Sequence, residues 1–124
     1  MTNGITSAYG AFINTSSGVV ANAAAQASMP AVPGKTNYLT GFEITGGGAT
    51  LGGVLTVSIS GLMGGTIQYV YGAVAGVLLA NPPLVVNFIP PLPASGPNVA
   101  ITIDCPALGL GNTANVISMH GLVA

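Results

Sequence analysis

Short segments in which apolar and small polar residues alternate constrain this chain more than any other feature. The segment VLTVSIS (54–60) places Leu55, Val57 and Ile59 at every second position, with hydroxyl-bearing residues between them. The segment NVAITIDC (98–105) repeats the pattern. Because successive side chains of a β-strand point to opposite faces of its sheet, a period of two predicts strands with one buried and one exposed face.

Clusters of glycine and proline interrupt these segments, reading GGGATLGG, GLMGG, PPLPASGPN and ALGLGNTA. Such clusters are typical of turns between short strands, and no helical apolar period separates them, which argues against a parallel α/β sheet. We therefore predict an all-β fold, an antiparallel β-sandwich. The strand spacing suits jelly rolls and immunoglobulin-like sandwiches alike, although the Cys…Trp…Cys pattern of immunoglobulin domains is missing. The predicted strands cover residues 37–45, 54–60, 66–74, 84–89, 99–105 and 115–123.

The first part of the chain differs in composition from the rest. Residues 2–28 are rich in Ser, Thr, Asn, Ala and Gly, and the stretch VVANAAAQA (19–27) has the alanine content of a helix but no cap and no apolar stripe. An extended arm or an edge strand fits it at least as well. We predict an N-terminal arm over residues 1–33, which adds little to the core, and a β-sandwich domain over residues 34–124.

Prolines surround one predicted strand. Six of the nine prolines lie within residues 82–97, on both sides of the apolar run 84–89. Proline cannot donate a hydrogen bond to a sheet, so it marks strand ends and sheet edges. The sequence therefore predicts that 84–89 is a strand bounded by proline on both sides, and that these prolines limit aggregation through an exposed edge.

Charge is almost absent. Lys35, Glu43 and Asp104 are the only Lys, Arg, Asp or Glu residues, which make up 2% of the chain, against about 25% in ordinary globular domains. One lysine cannot offset the phosphates of a nucleic acid or bind an anionic membrane surface. The longest apolar run, 70–80, is about half the length of a membrane-spanning helix. We therefore expect no nucleic-acid or membrane partner, and a chain that associates with copies of itself or with a larger surface.

Four side chains are candidates for chemistry. Glu43 and Asp104 are a possible acid/base pair, His120 a possible base or metal ligand, and Cys105 a possible nucleophile. Each has a simpler interpretation: surface carboxylates, a hydrogen-bonded strand histidine, and a small core residue that shares a face with Ile101 and Ile103. The sequence therefore predicts no enzyme and no catalytic, cofactor-binding or metal site.

Two further patterns have binding and structural interpretations. The glycines at 46–48 follow a strand as a phosphate loop would, but they lack the Lys-Ser/Thr and the helix of a P-loop, so an inter-strand turn suffices. Five aromatic residues are candidates for a sugar-binding groove, with core and subunit packing as the alternative. They are Tyr38, Phe42, Tyr69, Tyr71 and Phe88.

The stretches AVPGKTNYLTGFEITGGGATLGGVLTVSISGL, PLVVNFIPPLPASGPNVAITI and GLGNTANVISMHGLVA resemble the decoration, or cement, proteins of tailed bacteriophage capsids. The resemblance covers roughly the last 95 residues and is one of general pattern. It implies a jelly-roll module, commonly a homotrimer, on the outer capsid surface of a virion, bridging neighbouring major capsid protein subunits without catalytic residues. A tail, collar or head-fibre component is the alternative of the same class. A carbohydrate-binding β-sandwich for host attachment is the alternative from another class, and an enzyme is the least supported.

Overall fold

All regular secondary structure in the described part of the chain is β-strand. A computed structural model describes residues 6–7 and 10–124, with side chains from residue 11 onward. Within these residues there is no helix, and hence none that would cross a membrane. The nine strands found there are β1 (Thr6–Ser7), β2 (Gly10–Ser16), β3 (Ala25–Met29), β4 (Asn37–Gly47), β5 (Gly53–Ser60), β6 (Ile67–Ala73), β7 (Leu84–Pro93), β8 (Ile101–Cys105) and β9 (Ala114–Val123).

The strands form two antiparallel sheets in a jelly-roll arrangement. Sheet A has the order β1-β2-β9-β4-β7, and sheet B has the order β3-β8-β5-β6. Strands pair as β2 with β9, β3 with β8, β4 with β7 and β5 with β6, so the chain is one long hairpin folded at β5–β6. Rolling that hairpin adds the pairs β4 with β9 and β5 with β8. The predicted antiparallel β-sandwich is thereby confirmed, and the nested pairing is that of a jelly roll.

Alternation places the core between the two sheets. In β5, Val57 and Ile59 are buried while the intervening Ser58 and Ser60 are only partly covered. The six predicted strands correspond to β4 through β9, most of them shifted by one or two residues at their ends. The largest side chains buried between the sheets are Phe42, Met29, Leu39, Ile44, Ile59, Ile101, Ile103, Leu108, Ile117 and Met119.

The N-terminal segment is part of the sandwich where it is described. β2 pairs with β9 in sheet A, and β3 forms an edge of sheet B against β8. Ala25, Ala27 and Met29 are all buried in the core. The edge-strand interpretation therefore fits β3, whereas β2 lies between β1 and β9. The expectation that the segment adds little to the core is wrong for β3. The small alanine side chains lie where β3 approaches sheet A closely, and this tertiary reason outweighs their helix propensity. Residues 1–5, 8 and 9 of the predicted arm lie outside the described residues.

The proline-rich strand β7 is an edge of sheet A, since it pairs with β4 alone. Its prolines therefore do lie at a sheet edge, where a missing N–H is tolerated. The predicted end at Ile89 is wrong, however, because the strand continues through Pro90 and Pro91 to Pro93. An irregularity between Leu39 and Gly41 of β4 opposes the proline pair, and regular pairing resumes at Leu92. Residues 88–91 of β7 thus face the single residue Thr40 of β4, and this interruption of regular pairing accommodates the prolines inside the strand.

The loops lie at the two ends of the sandwich. One end carries residues 17–24, 48–52, 74–83 and 106–113, and the other carries 30–36, 61–66 and 94–100. At the first end β4 runs directly against the 74–83 loop. A Cβ added to Gly47 would lie 2.7 Å from Cα of Ala80, and Gly48 has a left-handed φ of 82°. Glycine at these two positions lets the loop pack against the strand.

Candidate functional site

One polar cluster spans three strands on the outer face of sheet A. Nε2 of His120 on β9 lies 2.8 Å from both carboxylate oxygens of Glu43 on β4. Nδ1 of His120 lies 2.7 Å from Oδ1 of Asn14 on β2. The sheet register makes this possible. Asn14 is directly opposite His120, and Glu43 lies two residues along β4 from Gly41, the residue opposite His120 on the other side. The cluster connects β2, β9 and β4 side by side.

This cluster contains a histidine and a carboxylate but no nucleophile beside them. Both ring nitrogens of His120 have partners, and no hydroxyl or thiol side chain of residues 11–124 is hydrogen-bonded to the ring. Within the same range, no group of three or more His, Cys, Asp or Glu residues could hold a metal ion. The prediction that His120 is a hydrogen-bonded strand residue agrees with these contacts. The partnership with Asn14 was missed, because cross-strand register is not visible in one sequence.

The structure does not bring Glu43 and Asp104 together as an acid/base pair. Glu43 is in sheet A, whereas Asp104 is on β8 in sheet B. Asp104 is exposed, and its carboxylate accepts a hydrogen bond from Nε2 of Gln26 on β3 at 2.6 Å. Asp104 therefore acts as a cross-strand surface partner.

Cys105 ends β8 and is buried in the core. Its thiol lies 3.3 Å from the carbonyl oxygen of Pro106. Burial raises the pKa of the Cys105 thiol to about 11, although a hydrogen bond with Asn115 acts in the opposite direction. Since the thiolate is the reactive form of cysteine, a buried thiol with a raised pKa is a poor nucleophile. The core interpretation of Cys105 matches this environment.

Three of the five candidate aromatic residues pack together between the sheets. The ring of Phe42 lies 5.8 Å from that of Tyr69 in an edge-to-face arrangement and 6.3 Å from that of Phe88. The hydroxyl of Tyr71 donates a hydrogen bond to the carbonyl of Pro82. Burial raises the pKa of Tyr71 above its usual value, with a smaller contribution from Cys105. These contacts favour the packing interpretation over the sugar-binding one.

The largest concentration of exposed apolar side chains lies at the first loop end, on the loops 48–52, 74–83 and 106–113. We call this group the apolar tip. Leu78 is 97% exposed, which makes it the most exposed large apolar residue of those described. Isolated apolar residues are ordinary on surfaces, but a group of them on adjacent loops marks an interaction site. The members of the apolar tip are Leu51, Val74, Val77, Leu78, Leu79 and Leu110.

Backbone hydrogen bonds hold the three loops of the apolar tip together. Gly48 N–H donates to Leu79 O at 2.9 Å, Gly76 N–H to Ala49 O at 2.7 Å, and Thr50 N–H to Leu110 O at 2.8 Å. A groove of about 340 Å³ runs between the glycines at 46–48 and the leucines of the 74–83 loop. The close approach of Gly47 to Ala80 and the hydrogen bond from Gly48 to Leu79 agree with the inter-strand turn interpretation of these glycines.

Sequence reasoning did not find the apolar tip. The signal was present in the run 70–80, which is apolar yet too short for a membrane span and lies between two strands. Comparison with known proteins adds no family to these observations: the chain matches no family model, no curated protein and no solved structure.

Proposed function

We propose that this chain is a non-enzymatic virion structural protein that decorates and stabilises a bacteriophage capsid. In this proposal the apolar tip docks on the outer capsid surface and bridges major capsid protein subunits. The protein acts as a homo-oligomer, for which the resemblance to decoration proteins favours three copies.

The observation that carries the proposal is the apolar tip itself. Six large aliphatic side chains project from loops that are already joined by main-chain hydrogen bonds. Docking a preorganised surface costs little ordering entropy, so more of the apolar burial remains as binding free energy. The tip contains no charged residue, which suits a permanent apolar contact between structural subunits.

Two other features support the proposal. Jelly rolls recur in viral capsid domains, although a fold alone does not determine a function. A chain with only 2% charged residues has little protection against association, as expected for a chain that works within an assembly. The rival sugar-binding interpretation loses support, since Tyr69 and Phe88 both pack against Phe42.

The test is co-sedimentation of the purified chain with capsids of the virus that encodes it, comparing the wild type with Leu78→Asp. Burial of a fully exposed leucine contributes about 2 kcal/mol, which corresponds to about a 30-fold change in affinity. Leu78→Asp should therefore weaken capsid binding by at least that factor. Ile89→Asp is the matched control, because Ile89 is 95% exposed but lies on β7, away from the tip loops.

Wild-type binding that is saturable and sensitive to Leu78→Asp but not to Ile89→Asp supports the proposal. Absence of wild-type binding, or equal loss in both variants, contradicts it. Electron microscopy of the complexes then distinguishes the capsid surface from a tail, collar or head-fibre position.

A further inference from the structure

β6 forms one free edge of sheet B, where it pairs with β5 alone among the described strands, and the shorter β3 forms the other edge. Among the described residues, no backbone N–H or C=O group of β6 forms a hydrogen bond with a loop. The outward N–H and C=O groups of this edge are therefore open to pairing with another strand. The strand is seven residues long and carries no proline, no charged residue and no bulge.

The other long edge of the sandwich is protected. β7 carries three prolines and an interruption of its pairing with β4, and prolines on an edge strand are one means by which natural proteins block edge-to-edge pairing. Because β7 is protected in this way, the lack of such protection on β6 is informative. An uncharged β-protein with an open edge self-associates readily.

The sequence of β6, IQYVYGA, has a tyrosine on each side of Val70, with the larger Ile and Gln before them and the smaller Gly and Ala after them. An antiparallel two-fold contact that overlaps all seven residues places Val70 opposite Val70 of the second copy. Tyr69 then faces Tyr71 of the second copy on the inner face, and Gln68 faces Gly72 on the outer face. Large residues thus meet small ones or aromatic partners, an arrangement that favours cross-strand pairing.

We infer that β6 pairs with β6 of a second copy of this chain, so that two four-stranded sheets join into one continuous sheet. Because a two-fold contact uses the same edge on both copies, it closes a dimer or joins two trimers and is not the contact within a trimer. The occupant is a second copy because the register is self-complementary and a two-fold contact uses the same surface on both subunits. Neither β6 nor β5 contains a charged residue, so no like charges meet at the contact. The pairing adds roughly six to eight main-chain hydrogen bonds, two for each hydrogen-bonded residue pair.

The test compares two exposed valines on the outer face of sheet B. Val70 is 75% exposed at the edge, and Val54 is 80% exposed one strand further in. Sedimentation equilibrium should show that Val70→Lys weakens self-association by about ten-fold or more, because two lysines are brought face to face. Val54→Lys adds the same charge away from the contact and should leave the association unchanged. An equimolar mixture of Val70→Lys and Val70→Glu should recover association as a hetero-oligomer.

A second measurement does not depend on the tolerance of a charge. Val70→Cys should form an intermolecular disulfide under mild oxidation, since opposed residues of a strand pair have Cβ atoms about 5 Å apart. Val54→Cys should not. Equal behaviour of the two positions, a monomeric wild type, or a trimer indifferent to Val70→Lys would overturn the β6 contact. A monomeric wild type would also contradict the homo-oligomer of the proposed function, whereas the other outcomes leave capsid binding through Leu78 untouched, so the failures of the two proposals are distinguishable.

Discussion

Asn37 holds the N-terminal segment to both sheets, and its replacement gives a sharp test of the fold. The residue is buried at the start of β4. Its Nδ2 donates to the carbonyl oxygens of Met29 at 3.3 Å, Pro30 at 3.0 Å and Val99 at 3.1 Å. One amide thereby joins the end of β3, the loop that follows it and the segment before β8.

We expect Asn37→Ala to lower the free energy of unfolding by about 2–3 kcal/mol. The amide has two protons, which support two full hydrogen bonds at about 1 kcal/mol each, and removal leaves a buried carbonyl without its donor. Asn37→Asp should cost more, because an anionic oxygen then faces three carbonyl oxygens. For a domain of this size the Asn37→Ala change corresponds to a fall in Tm of about 10 °C.

Urea unfolding followed by circular dichroism measures this change, with Asn87→Ala as the control. Asn87 lies on the exposed face of β7, and its replacement should alter stability by less than about 0.5 kcal/mol. A loss below about 0.5 kcal/mol for Asn37→Ala, at an unchanged m-value, would refute the assigned role of this amide.

Three further outcomes are expected. Deletion of residues 2–28 should abolish cooperative thermal unfolding in calorimetry, because it removes β2 and most of β3 with two core alanines; a folded truncated chain would contradict this. Stability measured in urea should decline between about pH 9 and pH 11, because the folded state holds the Cys105 proton, with a pKa of about 11, that the unfolded chain releases near 9.0; Cys105→Ala should reduce that decline. Self-association and capsid binding, followed by sedimentation, should change less than about ten-fold between roughly 0.05 M and 1 M NaCl, since screening acts on charges and not on apolar burial. A steeper salt dependence would show that charged groups carry the contact.

The sequence predicts most of the strands because each places apolar residues at every second position. In β5, Val57 and Ile59 face inward as the alternation requires. β3 was harder to recognise, since AQASM alternates with alanine as its apolar residue and alanine favours helices. The continuation of β7 beyond Ile89 was also missed, because proline normally ends a strand and is tolerated only where an edge or a bulge removes the need for its N–H.

The candidate site depended on information that one sequence does not contain. Composition indicated an associating surface but not its location. The apolar tip arises because Leu51 and Leu110, about sixty residues apart, lie on loops that the jelly roll brings to the same end. The partnership of His120 with Glu43 and Asn14 likewise follows from strand register, which depends on how the long hairpin rolls up.

Main-chain hydrogen bonds join the loops of the apolar tip. The shape of the tip therefore does not depend on which apolar side chains it exposes. Peptide groups hold the loops in place, and the side chains of Val77 and Leu78 project outward. Substitutions at these two positions can therefore change the chemistry of the exposed surface while the loop scaffold stays intact. The same jelly roll offers an adaptable display platform on which a new partner could be selected by varying a few exposed positions, as paratopes are varied on an antibody framework.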